Sequence, residues 1–356
     1  MKKEDILQSK VIDFLRFPMI VGIVLLHAFL GSIKGLEVPD TGLTLYHTIS
    51  FFISRILVSV AVPLYFFISG YLFFYRTSFS ISVYKKKLKS RAMSLLVPYI
   101  FWNLVILAAH WGVTLLFSTE MMSGAYKLVK YYTLLDYLRS FWNINGSMPI
   151  NGVLWFIRDL MVMVVCSPLV YLAIRYLGWY ILLILGCIWI TGYTMAIPQM
   201  SAIFFFTLGA WFSINNRNLI VDFKPFFPIG VILYLIYAIG IVGTERTEGY
   251  TYVINASILM GIVAVIALTT HFMENGKWKC SVFLTGSCFL VYAFHQLPLN
   301  FYDRVLFQVF HPVYNWQFLL IYFSGPILII ALDLLIYALL KKFFPRFTAV
   351  ITGGRS

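Results

Sequence analysis

Charge is scarce in this sequence. Only 12% of its 356 residues are Asp, Glu, Lys or Arg, about half the roughly 25% typical of soluble domains. That excludes an ordinary soluble enzyme and a disordered chain, both of which need charge to stay in water. Cysteine is scarce as well. The four are Cys166, Cys187, Cys280 and Cys288, with no C-x-x-C spacing, which excludes a secreted disulfide scaffold and leaves them as small packing residues. HExxH, GxSxG, Walker A, GxGxxG and metal-spaced Cys/His sets are all missing. Their absence argues against a metalloprotease, a lipase of the common fold, an ATP-driven pump and a nicotinamide enzyme, so no metal or permanently bound cofactor is expected. No repeat, low-complexity linker or soluble domain stands out.

Apolar residues fill the space instead: 61% are hydrophobic and the mean hydropathy is +0.86. Measured against the ~20 residues a membrane helix needs, the sequence predicts an all-α integral membrane bundle of about ten spans. They fall near 11–31, 53–75, 94–117, 152–174, 177–195, 199–214, 225–243, 251–272, 282–301 and 317–340, the sixth short enough to be tilted or re-entrant. The first contains Asp13, Arg16 and His27 and ends in no A-x-A site, so it reads as a retained helix rather than a signal peptide. The segments 32–52 and 118–151 mix aromatic, Leu and polar residues in the manner of interfacial helices. The whole chain, 1–356, reads as one transmembrane domain with no fused extracytoplasmic domain.

The net charge of +13 is then a topology signal rather than a nucleic-acid footprint. With the N-terminus inside, 18 Lys and Arg fall in inner connections and 6 in outer ones; Arg16, Arg55 and Arg158 lie within spans. Both termini are therefore expected in the cytoplasm. The densest inner run is Lys85, Lys86, Lys87, Lys89 and Arg91, read as a loop. It suits anionic lipid, or the phosphates of a cytosolic donor.

Ionisable residues inside spans cost roughly 2.5–3.5 kcal/mol each on insertion scales, so each needs a reason. Asp13 and Arg16, three apart, can pair on one helix face. Arg16 and His27 are eleven apart, which returns to within about 20° of the same face some 16 Å along the axis. Measured from the inner boundary, His27 comes out at about 24 Å, and Arg158–Asp159 and His295 at about 20 Å. Three helices thus bring polar groups to one depth. The alternatives are a functional groove and a packing network between helices. Ser69-Gly70 marks a polar, permissive point that either shapes a tunnel or allows close packing. Asp333, Arg55 and the remaining histidines read as structural or interfacial. Few broken half-helices are apparent, which disfavours a transporter.

Taken together, Asp13-x-x-Arg16-x10-His27, Val62-Pro63 through Ser69-Gly70-Tyr71, the basic run leading to Leu95-Leu96-Val97-Pro98-Tyr99, Trp155-Phe156-Ile157-Arg158-Asp159-Leu160, Phe206 through Gly209-Ala210, and Tyr292-Ala293-Phe294-His295 resemble the bacterial membrane acyltransferase 3 family, in the family's order. The resemblance implies a multi-pass protein of the bacterial inner membrane. It implies transfer of an acyl group, usually acetyl, from cytosolic acyl-CoA as cosubstrate to a hydroxyl of a cell-envelope carbohydrate or lipid-linked glycan. By the same resemblance His27 is catalytic and Arg16 serves the donor side; read from its charge, the run Lys85–Arg91 would meet the acyl-CoA. Asp13, Ser69, Arg158, Asp159 and His295 supply oxyanion, substrate or network contacts. The family's R-x-x-R element appears here as Arg91-Ala92-Met93-Ser94, without its second arginine, where Lys87 or Lys89 would compensate. Relatives with a fused extracytoplasmic domain complete the transfer there; this chain would act alone, as a homo-oligomer or with a separate transferase. An exporter or flippase of a polysaccharide or lipid-linked glycan is the competing reading.

Overall fold

The computed structural model describes residues 3–30, 38, 42–117, 127–244 and 247–354. Lys2, Lys34, Arg246 and Arg355 of the topology count lie outside them, as do 118–126 of the long connection and most of 31–41. Among the described residues the fold is helical; the one β pairing is a bridge between Asn145 and Met148. In chain order the helices are α1 Lys3–His27, α2 Thr44–Phe51, α3 Ala61–Phe74, α4 Ile81–Arg91, α5 Val97–Phe117, α6 Leu134–Ser140, α7 Trp155–Val165, α8 Ser167–Leu177 and α9 Tyr180–Ile190. There follow α10 Met200–Ile214, α11 Leu219–Phe223, α12 Ile229–Gly240, α13 Tyr250–Glu274, α14 Val282–Phe294, α15 Gln296–Phe310, α16 Asn315–Phe343 and α17 Pro345–Ile351.

Four stretches are long and apolar enough to cross a membrane: Thr44–Phe74, Ile81–Leu115, Tyr250–Glu274 and Asn315–Phe343. The count rises to seven if three bent pairs are each one span: Gly152–Val165 with Ser167–Leu177 (61°), Leu219–Phe226 with Ile229–Gly240 (67°), and Val282–Phe294 with Gln296–Phe310 (60°). The ten expected spans are thus not ten long apolar helices. The other three fall on α1, with Lys10, Asp13 and Arg16 in its middle, and on the short α9 and α10. The expected scarcity of broken helices is corrected by the three bends. Each has proline at or just past the break, at Pro168, Pro228 and Pro298, where a missing N–H and a ring clash interrupt the helical ladder.

The outside of the bundle carries many large apolar side chains. On α12, Ile229, Ile232, Ile236 and Ile239 are each more than half exposed and recur at helical spacing, a stripe suited to lipid rather than water. Inside, α3 and α10 cross with their backbones nearly touching. A Cβ on Gly70 would strike the Phe206 carbonyl, and one on Gly209 would strike that of Phe67. Small residues permit such approach where apolar burial gives no net drive between helices. Two segments differ from their sequence reading. Thr44–Phe51 runs without a break into α3 through a π-helical stretch, Phe52–Leu57. The basic run is not a loop: it forms α4, capped where Ser80 Oγ accepts from the Val83 N–H, and continues into α5.

Candidate active site

Helix α1 carries Arg16 and His27 on one face. Asp13 pairs with Arg16 at 3.3 Å, the i, i+3 contact its spacing predicts. Tyr65 on α3 donates to the Arg16 carbonyl, and Thr285 on α14 to that of Asp13 (3.4 Å). These bonds register α1 between α3 and α14. Between them lies a cavity of about 330 Å³. Arg16, Ile20 and Ile23 form its α1 wall, and Thr285, Cys288 and Tyr292 its α14 wall. Tyr65, Ser69 and Leu72 contribute from α3, Phe156, Leu160 and Val164 from α7, and Arg91 closes one end. Arg16 to Ile23 and Thr285 to Tyr292 are both seven-residue steps, about 10 Å of rise. The cavity therefore runs from a two-guanidinium end to an aromatic end.

His27 lies one turn beyond Ile23 and His295 one turn beyond Tyr292, and their rings meet with centroids 5.3 Å apart. His295 is held by Nδ1 against the Val291 carbonyl at 2.9 Å. A carbonyl only accepts, so in the neutral ring Nδ1 carries the proton and Nε2 carries the lone pair. That Nε2 is buried and has no partner among the described residues. The 60° bend falls at this histidine, because Pro298 withholds the N–H that would bond to the Phe294 carbonyl.

Arg158 and Asp159 are fully buried but engaged elsewhere. The guanidinium forks onto Asp159 Oδ1 at 2.7 and 3.0 Å. Its Nη1 donates to the Trp142 carbonyl at 2.7 Å and to that of Ser147, and Asp159 Oδ2 accepts from the Gln199 N–H at 2.8 Å. The cavity takes Phe156, Ile157 and Leu160 from the same helix. Arg158 thus positions the connection before α7 and does not reach the histidines. The end of that connection, Phe141 to Asn151, is bonded into the bundle, while Leu134, Leu135 and Leu138 before it stay exposed. Tyr99 donates to the Phe141 carbonyl (2.6 Å), Asn103 Oδ1 accepts from the Asn151 N–H (3.1 Å), and Asn151 Nδ2 donates to the Ala293 carbonyl (2.9 Å).

Of the basic run, Lys85, Lys86 and Lys89 are exposed on α4 and only Arg91 reaches the cavity. Lys87 instead donates to the Phe73 carbonyl and to Thr77 Oγ1 (2.8 Å), closing the end of α3. Ser94 stands against the C-terminal segment: a Cβ on Gly353 would strike its carbonyl. Ser69 lines the cavity while Gly70 makes the helix crossing, so that dipeptide serves both of its readings.

Residues 10–338 match the acyltransferase domain of the acyltransferase 3 family. The chain belongs to that family. It is also 24% identical over 370 residues to the succinoglycan biosynthesis protein ExoH of Rhizobium meliloti (strain 1021), covering 98% of this chain and 93% of the relative. No solved structure matches it. Within this acyltransferase 3 chain, the sequence missed Tyr65 and Thr285 as cavity residues, and it carried Tyr292 only as part of a motif. Tyr292 stands three before His295, hence on its face of α14, which is the signal that would have found it.

Proposed function

We propose that this acyltransferase transfers an acetyl group from cytosolic acyl-CoA to a hydroxyl of a cell-envelope carbohydrate, across the bacterial inner membrane. The observation that carries the reading is the cavity itself, with Arg16 and Arg91 at one end and the His27–His295 pair just past the other. Both termini lie on the cytoplasmic side in this reading, following the charge asymmetry. The donor's phosphates meet exposed Lys85, Lys86 and Lys89, with Arg91 at the cavity mouth, through charge-assisted bonds. The acyl thioester extends along the wall towards Tyr292.

At the histidine end, His27 takes the proton of the acceptor hydroxyl as its oxygen bonds to the thioester carbonyl carbon. The carbon–sulfur bond then breaks, and the proton passes from the imidazolium to the departing CoA thiolate. His295, with Nδ1–H tied to a carbonyl, presents Nε2 as an acceptor. In its neutral form it orients His27 or the incoming hydroxyl and cannot donate to an oxyanion. Arg158, engaged with Asp159 and two carbonyls, acts through the segment it holds. The relative's role in succinoglycan biosynthesis supports a carbohydrate acceptor, a polysaccharide or a lipid-linked glycan. Completion of the transfer by a homo-oligomer or a separate extracytoplasmic transferase belongs to the same reading.

Export of a glycan is the other class. The three bent pairs remove the sequence argument against it, so donor dependence is the discriminator. Purified protein in nanodiscs, given radiolabelled acetyl-CoA and cell-envelope glycan, should label the glycan, and His27→Ala at equal expression should not. Label-free glycan, with glycan moved across vesicles without acetyl-CoA, would overturn the proposal.

A further inference from the structure

A second recess shares no lining residue with the donor cavity. It has a volume of about 440 Å³ and is walled by Lys127, Tyr132, Asp136, Arg139, Asn143 and Asn145. Apart from Ile144 its lining is polar: two cations, one carboxylate, two carboxamides and a phenol. The carboxylate is already committed. Asp136 Oδ2 accepts from Lys127 Nζ at 2.7 Å and from the Thr133 N–H and hydroxyl at 2.8 and 2.9 Å. Those bonds, the Lys127 one first, bring its pKa down to about 2. Arg139 is different. Its carbonyl accepts from the N–H groups of Trp142, Asn143 and Ile144, yet no carboxylate pairs with its exposed guanidinium among the described residues.

The recess is also built rather than loose. Its floor is the turn closed by the paired bonds of Asn145 and Met148 (3.1 and 3.3 Å) and by Ile150 N–H to the Ser140 carbonyl at 2.7 Å. Gly146 supplies the left-handed residue at φ 71°. The buried Arg158 pins both sides of this turn through the Trp142 and Ser147 carbonyls. A few residues on, Asn151 bonds to Ala293 and Gly152 packs against Gln296, on either side of His295. The turn beside the recess is thus joined, within a few residues, to a segment that contacts residues on both sides of His295.

The geometry points to this recess as the subsite for a carboxylate-bearing sugar of the acceptor. Arg139 takes the carboxylate as a fork, the pairing for which guanidinium geometry is suited. Asn143 and Asn145 face the hydroxyls, and Tyr132 gives an aromatic face to the ring. Arg158 thereby becomes the residue that sets the subsite's shape. The inference rests on the carbohydrate acceptor proposed above and names its class.

The test is equilibrium binding to the full-length protein in nanodiscs, without donor. The probes are oligosaccharides bearing glucuronate and the same oligosaccharides after reduction of their carboxyls. The wild type should bind the carboxylate form about tenfold tighter, or ~1.4 kcal/mol. Arg139→Gln should remove that preference, Arg139→Lys should keep part of it, and Arg175→Gln, an exposed charge on α8, should keep all of it. Equal binding of the two forms by the wild type, or a preference that survives Arg139→Gln, would overturn the inference. A preference retained without acyl transfer to any acceptor would support it and count against the transferase reading.

Discussion

Replacing Arg158 by Met is the perturbation whose consequences the structure defines most fully. The side chain is fully buried and makes two bonds to Asp159 and one each to the Trp142 and Ser147 carbonyls. Methionine fills similar volume without donors, so packing changes little and the polar loss is isolated. It leaves Asp159 as a buried carboxylate held only by the Gln199 N–H, and it orphans two carbonyls. Breaking a buried pair on one side costs about 3–5 kcal/mol. The effect should be concentrated locally, because both freed carbonyls belong to the connection that ends at Asn151. Hydrogen exchange read by mass spectrometry should show 140–151 deprotected while α3 and α10 stay protected. Thermal unfolding in detergent should fall, and Arg158→Met with Asp159→Asn should recover part of the loss. An Arg158→Met protein with unchanged exchange at 140–151 would refute the claim that this arginine positions the connection.

Gly209→Ala should destabilise by at least the ~1–3 kcal/mol typical of overpacking, since its Cβ meets the Phe67 backbone rather than a movable side chain; a thermal midpoint equal to wild type would contradict the crossing. His27→Ala should lower the transfer rate by about 10²–10⁴ with unchanged KM for acyl-CoA, measured by thiol release. Arg91→Gln should do the reverse, raising KM for acyl-CoA with little change in kcat, and its effect should shrink in high salt. Asp136 has a depressed pKa of about 2, so its support for the Thr133–Ser140 turn is full above about pH 4, the ordinary carboxylate value, and is lost as pH falls towards 2. Exchange rates of those amides should rise over that window in the wild type and be insensitive to it in Asp136→Asn.

Periodicity carried the candidate site well where the relevant residues share one helix. The eleven-residue step from Arg16 to His27 placed one at the cavity mouth and the other past its far end, and depth arithmetic brought His27 and His295 together. The same arithmetic misplaced Arg158, because depth says nothing about direction: Phe156, Ile157 and Leu160 turn to the cavity, while Arg158 meets carbonyls from a segment eleven to sixteen residues away. Bends were harder to read. Pro168, Pro228 and Pro298 mark breaks, yet Pro18 and Pro326 sit inside continuous helices, so proline alone does not decide where a span folds over. Lys85–Arg91 looked like a loop because charge masks helical pattern; Ser80 as a cap was the local sign of α4.

In the proposed function, the arginine cavity and the histidine pair together move an acyl group onto a glycan. Mass spectrometry of cell-envelope glycans from cells with the protein, without it, and with His27→Ala tests it most directly. One acyl group per modified sugar should appear with the wild type alone, acetyl by our reading. Glycans of identical mass in all three would contradict it.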